Sequence, residues 1–165
     1  MLVLPAACAR QVASPPYIDT NVGSGDVSFI THSYDVIRFD LDESQLALTR
    51  SKSSEVKELA AYLIETAGEY RGMIQPAAER AGISPPNELN ADLEQRLERI
   101  RSLSGVAFDR AYVADQIVSH EDAFKHATSM IGETVDKDLN RLLRQSIVQL
   151  QISLDRLRAL QPRLG

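Results

Sequence analysis

The chain has 165 residues, a formal net charge of −5, one cysteine and no tryptophan. That length suits one domain with its own core, and a single cysteine excludes both a disulfide framework and a cysteine-rich metal site. An acidic chain without a long Lys/Arg run lacks the basic surface that displaces counterions from nucleic acid, and no apolar run is long enough to cross a bilayer as a helix.

The first residues read MLVLPAACA. This resembles the tail of a bacterial signal peptide, with Ala7-Cys8-Ala9 as a small-x-small cleavage site. Leu4-Pro5-Ala6-Ala7-Cys8 also resembles a lipoprotein box, in which Cys8 would be lipidated and become the new N-terminus. Pro5 stands where such a box usually has Leu, and the basic n-region would lie upstream of Met1. The plainer alternative is a disordered cytosolic tail. Residues 10–25 are rich in Pro, Ser and Gly without a period and read as a tether. The expectation is a leader over 1–25, a domain over 26–162, and a periplasmic or cell-envelope location.

Five helices follow. From Asp26, a plausible N-cap, Ile30, Tyr34, Ile37, Leu41, Ser44 and Leu48 form one stripe at steps of three and four. A second helix from about Ser51 to Ala81 carries Val56, Leu59, Leu63, Ala67, Tyr70, Ile74 and Ala77. Ser53 or Ser54 could cap it, Pro76 should bend or interrupt it, and Gly82 should stop it. Leu89 to Leu103 is shorter, ended by Ser104-Gly105. Val106 to Ile131 follows, with Val113, Ile117, His120, Phe124 and Ala127 inward. The last helix, capped by Thr134 or Asp136, carries Leu139, Leu143, Leu150, Leu154, Leu157 and Leu160. Four long helices of about 37 Å, with the short one as a crossover between two hairpins, predict an all-α, ferritin-like four-helix bundle.

Several of these segments together resemble a known family. Phe29-Ile30 with Arg38-Phe39-Asp40-Leu41, then Ser54-Glu55-Val56-Lys57-Glu58-Leu59-Ala60, then Leu103-Ser104-Gly105 with Phe108-Asp109 and Tyr112, are similar to the bacterial domain-of-unknown-function 4142 family. The resemblance implies a ferritin-like bundle, often exported. It also implies an Asp-His pair late in the second helix, another in the third long helix, and a His in the last. Those places are Thr66-Ala67, Ser119-His120 and Ser153 here, so one of the three histidines remains, together with the acidic Asp40 of the first helix.

A carboxylate-bridged di-metal bundle takes a Glu from each of two helices and Glu-x-x-His from each of the others. The chain contains no Glu-x-x-His. His120 on its apolar stripe reads first as a hydrogen-bonded core histidine and second as a ligand. Asp122 and His126, four apart, read as a solvated pair, and His32 has no obvious partner. Any persisting metal site would use Asp40, Glu65, Glu69 and His120, a donor set suited to iron, manganese or zinc. No nucleophile elbow or phosphate loop occurs. The expectation is a non-catalytic structural or interaction module with a degenerate metal site and no cofactor. An unidentified protein partner and a lipid anchor at Cys8 remain open, and the alternative is a metal-binding or di-metal redox bundle with replacement ligands.

Overall fold

A computed structural model describes residues 22–164; Cys8 and the rest of 1–21 lie outside the described residues, as does residue 165. Four long helices and one short one are present: α1 (Ser24–Arg50), α2 (Ser54–Arg80), α3 (Ala91–Arg101), α4 (Gly105–Met130) and α5 (Lys137–Leu160), followed by a single 3-10 turn, Gln161–Arg163.

Local chemistry sets the ends. Ser53 accepts a hydrogen bond from the Val56 amide, Asn90 from Leu93, and Asp136 from both Asp138 and Leu139, so α2, α3 and α5 each start on a side-chain cap. Asp26 is not the N-cap of α1. It lies one turn in, and its carboxylate accepts from the amide of Gly23, which holds the cap position. Gly82, at φ +68°, ends α2. Its amide bonds to the Glu79 carbonyl and that of Ile83 to Ala78, the paired reversal a left-handed glycine permits.

Pro76 does not interrupt α2, which runs unbroken through it. The residue is exposed, so the carbonyl of Gly72 that loses its amide partner faces water, and Arg80 donates to the carbonyl of Pro76.

Helices α1 and α2 form one antiparallel hairpin, α4 and α5 the other, and the hairpins meet along α1–α4 and α2–α5. The connection between them must regain the full bundle length. Eleven residues of α3 supply about 16 Å and the eight non-helical residues 83–90 at most about 26 Å, enough for a 27-residue helix of about 40 Å. This is the ferritin-like plan of two hairpins and one long crossover. Crossing on the α1–α4 side, α3 covers a second face of α1. Phe39, off the predicted stripe, is therefore fully buried under Arg96, whose guanidinium carbon lies 4.7 Å from the ring centroid. Leu48, on the predicted stripe, is exposed.

Two apolar clusters fill the ends. One gathers Phe29, Ile30, Ile74, Ala78, Leu139 and Leu143. The other gathers Val56, Leu63, Phe108, Tyr112, Val113 and Leu157. Each fully buried Leu, Ile or Phe contributes roughly 1.5–3 kcal/mol. The helix segments between the clusters carry the polar residues.

Candidate functional site

Around this polar waist α1 presents Asp40, Glu43 and Ser44, and α4 presents Tyr112, Gln116, Ser119 and His120. Each set recurs at steps of three and four, which places it on one helical face. The hydroxyls of Ser44 and Tyr112 are 2.9 Å apart. Gln116 Nε2 donates to Glu43 Oε2 at 2.6 Å and lies 3.5 Å from Asp40 Oδ1. Ser119 Oγ donates to Asp40 Oδ1 at 2.9 Å.

Burial governs the protonation of these groups. It pushes the Glu43 carboxyl well above the usual carboxylate range, and nearby Asp115 and Asp40 add to the rise, while the Gln116 hydrogen bond and Arg96 oppose it. Glu43 Oε1 and Gln116 Oε1 are both buried without a partner. A proton on Glu43 Oε1 turns one of these orphan acceptors into a donor, so the neutral acid suits the site. Asp40 is also raised by burial, against the pull of His120, Ser119 and Arg96. The Tyr112 hydroxyl is raised by burial, opposed by Ser44.

His120 is buried, and its Nδ1 lies 2.9 Å from the Gln116 carbonyl oxygen. A carbonyl only accepts, so Nδ1 carries a proton, and in the tautomer without a second proton Nε2 is an acceptor.

A cavity of about 80 Å³ opens between α1, α2, α4 and α5. All three histidines line it. His32 and His126 stack with ring centroids 4.9 Å apart and planes at 16°, and Phe29 tilts against His126 at 5.3 Å. Burial and the neighbouring His32 lower the pKa of His126, against Glu133. His32 therefore has a partner, and His126 turns inward, while Asp122 is exposed and pairs with Lys125 at 3.5 Å.

Asp40 and His120 share this cavity, whereas Glu65 and Glu69 are exposed and do not line it. At about 100° per residue, Leu63, Thr66, Ala67 and Tyr70 take the inward face of α2 and turn Glu65 and Glu69 away. Among the described residues no three His, Cys, Asp or Glu side chains come together as a metal-holding group. Glu43 and Gln116 went unrecognised in the sequence; the spacing of Asp40, Glu43 and Ser44 was the available signal.

Residues 11–160 match the family described as Domain of unknown function (DUF4142). The chain belongs to this family. No curated protein matches it in sequence. Among solved structures, the chain is similar to the crystal structure of a DUF305 fragment from Deinococcus radiodurans, with a TM-score of 0.77 and 19% identity, covering 86% of this chain and 98% of that one. At that identity the likeness is one of fold.

Of the places where the DUF4142 resemblance puts ligands on α2, α4 and α5, four line the cavity, Thr66, Ala67, His120 and Ser153, whereas Ser119 does not; Asp40 of α1 lines it with them. Three of the four carry side chains that are poor ligands or none. Thr66 donates its hydroxyl to the Leu63 carbonyl, Ser153 lies 3.4 Å from the Tyr62 hydroxyl, and Ala67 offers a methyl group. These residues do not fit a carboxylate-bridged di-metal centre.

Proposed function

We propose that this DUF4142 member is a non-catalytic helical bundle of the cell envelope, a structural or interaction module whose metal positions have degenerated. The observation that carries the reading is the cavity itself. Five positions from four helices, Asp40, Thr66, Ala67, His120 and Ser153, converge on it, and only Asp40 and His120 among them are strong ligand types. The Ala7-Cys8-Ala9 and Leu4–Cys8 patterns support export, with Cys8 as a possible lipid anchor. No helix among the described residues is long and apolar enough to cross a membrane.

Elemental analysis of protein purified without chelator tests the metal part of the reading. Well under one iron, manganese or zinc per chain is expected. A stoichiometric metal that survives dialysis would overturn it and favour a metal-binding bundle with replacement ligands. Fractionation of cells expressing the gene with its upstream region tests location, and recovery in the cytosol would sink the envelope assignment.

A further inference from the structure

Two acceptors lie on the cavity wall without donors. Asp40 uses Oδ1 for both Ser119 and Gln116, and its Oδ2 takes no hydrogen bond among the described residues. His120 Nε2 is the second, because Nδ1 is committed to the Gln116 carbonyl. The two groups are close enough to interact electrostatically but form no direct ion pair. The wall hydroxyls are engaged with other partners and none bonds Asp40 or His120. Ser146 donates to the Leu142 carbonyl, Thr66 to that of Leu63, and Ser33 lies 3.4 Å from the Tyr70 hydroxyl. Val36, Leu63, Ala67, Ala123 and Leu150 give the wall its apolar part, while His32, His126 and Gln149 add further polar side chains.

We propose that this cavity binds a small organic ammonium ion, its head between Asp40 and His120 Nε2 and its short apolar tail along Leu63, Ala67 and Leu150. An ammonium group brings several donors and the charge complementary to a carboxylate. A hydroxyl brings one donor and no charge, and a carboxylate would add an anion beside Asp40. Phe29 and Tyr70 bring aromatic rings, which attract cations over their faces, to the same wall. Size sets the tail. A cavity of about 150 Å³ holds benzene, so about 80 Å³ calls for an occupant smaller than benzene. The proposal rests on the reading above, since a metal ion on His120 would take the same lone pair.

The test titrates n-butylamine, n-butanol and butyrate into the full chain after chelator dialysis, followed by amide chemical shifts and calorimetry. Butylamine is expected to shift Thr66, Ala67, Ser119 and His120, and to bind at least about tenfold more tightly than butanol, with butyrate silent. Asp40→Asn should lower amine affinity at least about tenfold and leave butanol within about twofold. Ala67→Leu should exclude both. Equal binding of amine and alcohol, amine binding indifferent to Asp40→Asn, or no saturable binding overturns the proposal. Should either variant fail to fold by circular dichroism, the probe selectivity of the unaltered chain decides alone. Metal content of the same sample separates the two readings: stoichiometric metal defeats the earlier one, whereas metal-free protein that ignores butylamine defeats only this one.

Discussion

Glu43→Gln should reverse its effect on stability between acid and neutral pH. Glu43 is fully buried and its carboxyl titrates well above its usual range, chiefly through burial. An acid whose folded pKa lies above its unfolded value of about 4.3 holds its proton more tightly when folded. The stability this contributes is complete below the unfolded value and is lost as pH rises through the folded one. Within that window each pH unit costs about 1.4 kcal/mol per group, or roughly 3–5 °C in Tm for a chain of this size. Glutamine has the same shape and no proton to lose. Its carbonyl can accept from Gln116 Nε2, and its amide can donate to Gln116 Oε1, which is now unpartnered. The variant should therefore match or slightly trail the parent at about pH 4.5 and outlast it by a margin that grows as pH rises towards the folded value. Urea unfolding of both proteins across that range measures the difference. Asp40, raised, and Asp136, lowered, impose their own slopes on both proteins and largely cancel. A stability difference that stays constant with pH would refute a neutral, buried Glu43.

Two further outcomes follow from the helices themselves. Gly68 lies within α2, and a Cβ added there meets nothing within 4 Å, so Gly68→Ala should stabilise the fold by about 0.5–1 kcal/mol in thermal melts. Asp136 caps α5 with two backbone bonds and accepts from Arg80 at 2.6 Å; Asp136→Ala should cost about 1–2 kcal/mol. Asp136→Asn should keep most of the cap. Hydrogen bonds from Arg80 and the first amides of α5 hold the native carboxyl below its usual range despite partial burial, so its stabilisation is present above the unfolded pKa and fades as pH falls through the folded one. The Asn variant should lack that acid decline, and an unchanged acid limb in urea unfolding would show that Asp136 is not its source.

The long helices were legible because their apolar residues repeat at helical spacing and their ends carry Ser53, Gly82 and Asp136. The crossover was legible from its length. What one helix could not disclose was its second neighbour. Phe39 is buried because α3 crosses that side of α1, and Leu48 is exposed because nothing covers it. Asp40-Leu41-Asp42-Glu43 reads along the chain as an acidic, solvated run, and the facing Gln116 shows Glu43 to be a core residue. His32 and His126 are likewise far apart in sequence, and their stacking depends on the antiparallel phase of α1 and α4. At the candidate metal site, Asp40 and His120 meet at the cavity. Glu65 and Glu69 shared a face with each other, but it was the outward one.

The hydrogen bonds along α1 and α4 also act as a ruler between the two halves of the molecule. Ser44 meets Tyr112, Glu43 meets Gln116, and Asp40 meets Ser119, three rungs spread over two turns of α4. Apolar side chains tolerate sliding, because one methyl group replaces another at little cost. Sliding α4 along α1 by one turn, about 5.4 Å, would break all three rungs together and leave a buried carboxyl facing hydrocarbon. The alignment of one hairpin on the other is therefore fixed by polar matching at mid-height, while the apolar clusters above and below supply the adhesion.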